Sequence, residues 1–352
     1  MKIGTVTLDS PFVVAPMAGM TDTAFRRLVK RKGGCGLVVT EMVSSEGLVR
    51  GIDRTLEYAE YTEAERPVSI QIFGGDPVKM ADAAQVVEGM GADIVDVNMG
   101  CPVPKIAKHN AGCSLMREPA HAAAVIAAMV KSVRIPVTVK MRAGWNDRAR
   151  NAPELARMVQ DAGAAAIAVH GRTAEQSYSG LADWTLVARI AETLSIPVFG
   201  SGDCVEADQI VDRMQGGVSG VLVGRGVLRN PWILAQAAAL AAGRTLPAVT
   251  LAERGRFLLE YIDLLLHGRE NEAEGFRHVA PVSGDGPEAA TTREARGHER
   301  WVINKLRALC AWYSKGLDGG SALRVQINSA RTVSELRAIV RAFFLDSSAD
   351  AA

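Results

Sequence analysis

Residues 94–98 read Ile-Val-Asp-Val-Asn, and residues 137–141 read Val-Thr-Val-Lys-Met. Both are short runs rich in β-branched residues, a composition typical of buried strands. Stretches with helical spacing, such as 77–90 and 153–162, lie between most runs of this kind. The eight runs are 12–15, 37–41, 68–72, 94–98, 137–141, 166–170, 198–201 and 220–224. Eight strands, each followed by a crossover, predict an α/β fold of the (β/α)₈ TIM-barrel type.

An open, doubly wound sheet is the alternative fold for such a pattern. It fits less well because the turn after the first run, Pro-Met-Ala-Gly at 16–19, lacks a dinucleotide-binding fingerprint. The barrel pattern ends near residue 240, so we assign 1–242 to the barrel and 250–345 to a smaller, all-helical domain. Residues 271–292 are polar and rich in Gly, Pro, Glu and Thr. We interpret them as a flexible insertion in the helical domain.

Composition narrows the function classes. The chain has 352 residues and a net charge of +1, and no apolar run is long enough to cross a bilayer. Its five cysteines include no Cys-x-x-Cys pair, which favours reduced thiols and a cytoplasmic location. Its six histidines lack the spacing of zinc ligands, so we expect no metal. The lack of a long apolar run leads us to expect no membrane contact.

Positive charge is concentrated near the C-terminus. Residues 293–341 hold ten Lys and Arg against four Asp and Glu. On a helix, one face would carry Arg293, Arg296, Arg300 and Arg307, and the other Val302, Leu306, Leu309 and Tyr313. A solvated face on a core-packing helix is the commoner explanation for such a pattern. A surface that binds nucleic-acid phosphates is the alternative.

Functional groups in these barrels gather just past the carboxyl ends of the strands. The seventh strand ends in Ser201, Gly202 and Asp203, and the eighth in Gly224 and Arg225. Glycines at these two positions let backbone N–H groups approach an anion, and an arginine adds a cation. The pair of turns therefore predicts a phosphate site, although each turn alone is weak support.

Two polar residues lie inside predicted strands. Lys140 interrupts an apolar run, and a barrel-lining lysine needs negative charge nearby, from an anionic ligand or from a carboxylate such as Glu41 or Asp96. Gln71 offers both a donor and an acceptor to the amide edge of a ring. Taken alone, Gln71 is equally compatible with a structural role.

Cys101 is the most specific candidate for a catalytic residue. It lies between Gly100 and Pro102 at the predicted barrel mouth, close to Asn98. A single cysteine is more often a small buried apolar residue than a catalyst. Cys113, in another glycine-containing loop, is the rival. We expect Cys35, Cys204 and Cys310 to be packing residues.

Four segments resemble a known family. They are Asn-Met-Gly-Cys-Pro-Val-Pro-Lys at 98–105, Ala-Pro-Met-Ala-Gly-Met-Thr-Asp at 15–22, Lys-Met-Arg-Ala-Gly-Trp at 140–145 and His-Gly-Arg-Thr at 170–173. In sequence and in their order along the chain, these segments closely resemble the signatures of bacterial tRNA-dihydrouridine synthases of the DusB branch. The resemblance covers nearly the whole barrel and, more weakly, the C-terminal helices.

The resemblance implies FMN as the cofactor and NADPH as the reductant, with NADH as a possible substitute. It implies tRNA as the partner, with a uridine of the D-loop as the target, and we expect a monomer. It assigns the catalytic acid to Cys101. It assigns cofactor binding to Pro16, Met17, Ala18, Gln71, Lys140, His170, Ser201, Gly202, Asp203, Gly224 and Arg225. For contacts with the substrate or RNA we select Asn98, Lys105, Arg142, Arg172, Arg293, Arg296 and Arg300.

Two departures from the family pattern affect these expectations. Ser201 stands where the family usually has Asn, which predicts altered cofactor contacts. Arg307-Ala308-Leu309 stands where many relatives have Arg-Lys-His, so two expected RNA contacts are missing. The alternatives are an FMN barrel that acts on free pyrimidines, as dihydroorotate and dihydropyrimidine dehydrogenases do, and a non-catalytic RNA-binding protein that has kept the barrel.

Overall fold

The computed structural model describes residues 1–107, 110–246, 248–280 and 292–346, without the side chains of 53, 54, 105 and 292–296. Eight parallel strands close into a barrel. They are β1 (Phe12–Val14), β2 (Leu37–Val39), β3 (Val68–Phe73), β4 (Ile94–Met99), β5 (Val137–Arg142), β6 (Ala166–His170), β7 (Val198–Ser201) and β8 (Gly220–Val223). Pairing of β2 with β3 and of β8 with β1 closes the ring. The predicted (β/α)₈ barrel is confirmed.

Helices surround the barrel and continue beyond it. They are α1 (Thr23–Lys32), α2 (Ser45–Val49), α3 (Asp53–Ala59), α4 (Pro77–Gly89), α5 (Pro104–Ala107), α6 (Pro119–Ser132), α7 (Ala152–Asp161), α8 (Trp184–Thr193), α9 (Ala207–Met214), α10 (Arg225–Arg229), α11 (Ile233–Ala241), α12 (Leu251–His267), α13 (Thr292–Tyr313), α14 (Gly320–Ser329) and α15 (Val333–Phe344). The proposed domain division falls in the connection between α11 and α12.

Alternate residues of each strand face opposite sides, as the pleat requires. Outward residues such as Val97 and Val139 pack in the large core beneath the helices. The inward residues near the amino ends form a second apolar cluster that includes Val13 and Phe199. A short hairpin, Lys2–Ile3 paired with Val6–Thr7, supplies Ile3 to this cluster. The amino end of the barrel is therefore filled with apolar side chains.

The helical domain packs on one side of the barrel. Phe257 of α12 makes edge contact with Phe25 of α1, with ring centroids 6.2 Å apart, and stacks on Tyr313 of α13. The apolar face predicted for α13 is buried, with Val302, Leu306, Leu309 and Tyr313 all at most 1% exposed. The prediction of an amphipathic helix here is confirmed.

The first part of the predicted flexible insertion is docked on the barrel. Arg277–His278 pairs antiparallel with the short strand Tyr61–Thr62, and the His278 ring stacks on Tyr61 at 4.5 Å. Glu272 accepts from Arg27 at 3.1 Å and from Arg277 at 2.7 Å. The expectation of a free segment is therefore wrong for residues 271–280, because ion pairs and strand pairing hold them. The rest of the insertion, 281–291, lies outside the described residues.

Candidate active site

A cavity of about 570 Å³ opens at the carboxyl ends of the strands. Every position predicted for the cofactor lines it, namely Pro16, Met17, Ala18, Gln71, Lys140, His170, Ser201, Gly202, Asp203, Gly224 and Arg225. Asn98, Cys101 and Arg142 line it as well. Residues separated by up to 209 positions in the chain thus meet in one site, because parallel strands of a barrel end at the same face.

The floor of the cavity is a hydrogen-bonded chain of polar side chains. The Gln71 amide donates to Asp96 at 2.6 Å, and Thr138 donates to the other oxygen of that carboxylate at 2.6 Å. The Asn98 amide donates to the Gln71 carbonyl oxygen at 2.7 Å. These bonds fix the orientation of Gln71, because its NH₂ group donates to Asp96 and its oxygen accepts from Asn98, and they fix Asn98, whose oxygen also accepts from the Cys101 amide.

Lys140 projects from β5 beside this chain of side chains. Asp96 is taken by Gln71 and Thr138, and Glu41 is bound elsewhere, to Gly19 and Lys305. Within the described part of the chain, the Lys140 side-chain amine makes no hydrogen bond or salt bridge. Burial lowers its pKa to about 8, with the Arg142 guanidinium acting in the same direction. Neither carboxylate considered in the sequence analysis therefore satisfies Lys140, which faces the cavity as a poorly solvated amine.

His170, at the end of β6, is 9% exposed and neutral. Its Nδ1 lies 3.4 Å from the Ser201 hydroxyl, and its buried Nε2 has no partner among the described atoms. Burial lowers its pKa to about 2, and the surrounding Lys and Arg charges reinforce the effect. An unpartnered ring nitrogen that lines a cavity is a group ready to bond with a ligand.

The predicted anion site lies at the ends of β7 and β8. Asp203, with φ of +53°, turns its carboxylate to Arg172 at 2.6 Å and to Arg225 at 3.5 Å. The Arg225 guanidinium also lies 4.9 Å from the centre of the Tyr178 ring. Gly202 takes a φ of +127°, which a side chain would disfavour. Arg225 is thus held at the cavity wall with its positive charge only partly neutralised by Asp203.

Arg142 and Arg172 have a different environment from the one expected of RNA-binding residues. Arg142 is 6% exposed and donates to the carbonyls of Gly100, Thr173 and Ser177 at 2.8–2.9 Å. Arg172 is 2% exposed and donates to carbonyls of the 173–183 loop and to Asp203, leaving only its Nη1 unpartnered. Both arginines hold this loop over the cavity, so their direct contact with RNA remains a prediction.

The Cys101 thiol lies at the cavity and is half-buried. The Asn98 side-chain oxygen accepts from the Cys101 amide at 2.9 Å, which fixes the turn that carries the thiol. Burial raises the pKa of Cys101, so the thiol is protonated at neutral pH. The rival, Cys113, is fully buried behind it, and burial raises its pKa to about 11. Cys35, Cys204 and Cys310 are buried, as expected of packing residues.

Several lining residues were not predicted. Met20, Met42 and Tyr178 come from loops, and Trp312 comes from α13 of the helical domain. The loop residues follow strand ends closely enough that a survey of aromatic and methionine side chains there would have found them. Trp312 reaches the cavity only because the helical domain docks on the barrel, so no local signal points to it.

The basic face of α13 is described only in part. Arg300 is exposed, whereas Arg307 donates to the carbonyl of Ala330 at 2.8 Å. The side chains of Arg293, Arg296 and Lys105 lie outside the described residues. Among the residues that the structure covers, no group of three or more His, Cys, Asp or Glu is arranged to hold a metal, and no helix is long and apolar enough to cross a membrane.

Comparison with known proteins identifies the family. The model of the dihydrouridine synthase family matches residues 13–347. The tRNA-dihydrouridine synthase B of Pseudomonas aeruginosa is 35% identical over 350 residues, which cover 98% of this chain and 96% of that protein. The protein of the same name from Xanthomonas campestris is 38% identical over 299 residues, which cover 83% of this chain and 90% of that protein. This chain belongs to the dihydrouridine synthase family.

Proposed function

We propose that this enzyme uses FMN and NADPH to reduce the C5=C6 bond of a D-loop uridine in tRNA, giving 5,6-dihydrouridine. The observation that carries the proposal is one cavity that holds three groups: the Lys140 amine and the His170 Nε2, neither of which has a partner among the described residues, and the protonated thiol of Cys101. We further propose that it acts as a monomer in the cytoplasm, a location that suits its free thiols.

The donor set fits FMN. Gln71 and Lys140 can meet the polar edge of an isoalloxazine ring, and the Lys140 amine suits the negative charge that a reduced flavin carries near N1 and O2. His170 Nε2, buried without a partner, would gain one from the cofactor. Arg225, with the glycine-bearing turns at Gly202 and Gly224, would hold the phosphate. NADH is a possible substitute for NADPH, since both carry the same dihydronicotinamide ring as hydride donor.

When bound, FMN supplies the hydride that adds at C6 of the uracil. The C5=C6 bond is conjugated with the C4 carbonyl, so this addition leaves negative charge on C5 and O4. Cys101 donates the proton that C5 then requires, a role that calls for a thiol rather than a thiolate. The raised pKa of Cys101 keeps the proton on sulfur until it is needed. Asn98, fixed by Gln71, orients the uracil edge.

A tRNA substrate accounts for the helical domain better than a free pyrimidine does. Trp312 of that domain lines the cavity, so the domain forms part of the site rather than a separate module. The target base must leave its stack to reach the cavity floor. Arg300, with Arg293, Arg296 and Lys105, would then contact phosphates, since folded RNA is recognised largely by shape and backbone.

The test is incubation of the purified protein with NADPH and tRNA from cells that lack dihydrouridine, followed by nuclease digestion and mass spectrometry. We expect one D-loop uridine to gain two hydrogens. No gain, from a protein that carries FMN and oxidises NADPH, would contradict tRNA as the substrate. Turnover of free dihydroorotate or uracil would then favour the alternative of an FMN barrel that acts on free pyrimidines. Absence of bound flavin would favour a non-catalytic RNA-binding protein.

A further inference from the structure

The loop after β1 forms one wall of the cavity, through Pro16, Met17 and Ala18. It is short, and its internal bonds all join Met17 to Met20 or Thr21. The Met17 carbonyl accepts from the amides of Met20 and Thr21 at 3.0 and 3.1 Å and from the Thr21 hydroxyl at 3.2 Å, and the Met17 amide donates to that hydroxyl at 3.1 Å. These bonds close the turn but leave its tip, at Gly19, to be held by other parts of the protein.

Gly19 is held on both of its backbone groups. Its amide donates to Glu41 at 2.5 Å, and its carbonyl accepts from the Lys305 ammonium at 2.9 Å. Lys305 also pairs with Glu41 at 3.3 Å and with Asp22, just after the loop, at 3.0 Å. The tip therefore lies inside a four-membered cluster of Gly19, Asp22, Glu41 and Lys305, which we call the Gly19 clamp.

Gly19 itself is exposed, and the clamp lines a second cavity of about 800 Å³, but the three charged side chains of the clamp are mostly buried. The side chains of Lys305, Asp22 and Glu41 are 11%, 15% and 6% exposed. The Lys305 ammonium lies 5.5 Å from the centre of the Trp301 ring, and the Tyr261 hydroxyl donates to Asp22 at 2.8 Å. Charge-assisted bonds in such a site are stronger and less screened by salt than those at an open surface.

Lys305 belongs to α13, whereas the loop belongs to the barrel. Seven residues along the same helix, Trp312 lines the cavity. The helical domain thus contacts the cavity at two points, directly through Trp312 and indirectly through the clamp. The Lys305 ammonium bonds to a carbonyl and two carboxylates at once, and among the residues of α13 with described side chains it is the one that hydrogen-bonds to the tip of the loop.

We propose that Lys305 is a positioning residue, which holds the loop of residues 16–19 in the conformation that receives the flavin. This inference rests on the proposed function, since it takes the cavity to be the flavin site. A loop that is ordered in advance adds no ordering cost to ligand binding. If the clamp is removed, the flavin must order Pro16, Met17 and Ala18 itself, and its affinity falls.

The experiment is an FMN titration of flavin-stripped protein, followed by flavin fluorescence. For Lys305→Met we expect FMN to bind about tenfold more weakly, the equivalent of ordering one or two side chains, with a changed visible flavin spectrum. Lys305→Arg keeps the charge and donors and should restore most of the affinity. Should the single variant fold poorly, Glu41→Gln combined with Lys305→Met removes the more buried of the two carboxylates left without a cation, while Asp22 keeps its bond from Tyr261, and it should bind FMN as weakly as Lys305→Met.

Arg31→Met is the matched control. Arg31 of α1 forms an exposed ion pair with Glu260 of α12, so it also links the barrel to the helical domain but does not touch the loop. We expect its FMN affinity to match the wild type. Wild-type affinity in Lys305→Met, or an equal loss in Arg31→Met, would overturn the inference. A wild-type protein that binds no FMN would overturn the proposed function, and this inference with it.

Discussion

Lys140 is a residue whose environment opposes folding. Its amine is desolvated and makes no hydrogen bond within the described chain, and its pKa falls from 10.5 to about 8. Each pKa unit corresponds to about 1.4 kcal/mol, so we expect Lys140→Met to stabilise the flavin-free protein by up to about 3 kcal/mol at pH 7. Urea unfolding of the two flavin-free proteins measures this difference, and the variant should bind FMN more weakly.

The pH dependence of that difference has a definite sign. The folded protein releases the Lys140 proton near pH 8, whereas the unfolded chain retains it to about 10.5. The wild type therefore gains stability relative to Lys140→Met as the pH rises between these values. A stability difference that stays constant from pH 7 to pH 10 would mean that Lys140 is not desolvated as the structure indicates.

Cys101 and Cys113 form a natural pair for testing the proton donor. We expect Cys101→Ala to fold, to bind FMN and to be reduced by NADPH, but to form little dihydrouridine, because C5 lacks its proton source. Cys113→Ala removes a buried thiol behind the cavity and should retain most product formation. Stopped-flow reduction and product analysis separate the two half-reactions. Normal product from Cys101→Ala would move the acid role to another group.

At the scale of single elements, α13 serves both domains. One face is buried in the helical core, one residue clamps the barrel loop, and the exposed side carries Arg300. We expect replacement of Arg293, Arg296 and Arg300 by Ala to weaken tRNA binding at least about tenfold and to flatten its salt dependence, since three phosphate contacts are lost. Filter binding at several salt concentrations measures both effects.

NADPH oxidation should be unchanged in that triple variant, because reduction of the flavin does not require tRNA to be bound. Arg189→Ala, which removes an exposed arginine of α8, is the matched control and should bind tRNA normally. If the triple variant binds tRNA as tightly as the wild type, the basic side of α13 is only a solvated face, the commoner role of such patterns.

At the scale of the whole molecule, residues 268–280 tie the two domains together. Glu272 pairs with Arg27 of the barrel and with Arg277, and all three side chains are at most 15% exposed. Glu272→Ala leaves two buried guanidinium groups without this carboxylate. We therefore expect a loss of about 2 kcal/mol and a melting temperature a few degrees lower, measured by calorimetry.

The exposed pair of Arg31 and Glu260 provides the comparison for this prediction. Its side chains are 46% and 43% exposed, so Glu260→Ala should change stability by less than about 1 kcal/mol. If the two variants are equally stable, the docked segment contributes nothing to holding the domains together, and its strand pairing is incidental.

The barrel and most of the cavity could be predicted from the sequence alone. The period of β-branched runs is a local property, and closure into a ring follows from eight such runs with helical crossovers. The barrel places strand ends at one face, so Gln71, Lys140, His170 and the turns near Gly202 and Gly224 had to meet there. Their contribution to one cavity did not depend on details of packing.

Only the tertiary structure decided how the two domains meet. The Lys305 contacts with Gly19, Asp22 and Glu41 join residues more than 260 positions apart, and Trp312 reaches the cavity by the same docking. The polar composition of residues 271–280 predicted a free segment, yet ion pairs with the barrel hold it in place. Local composition reports the cost of ordering a segment, whereas the partners that offset that cost lie elsewhere in the chain.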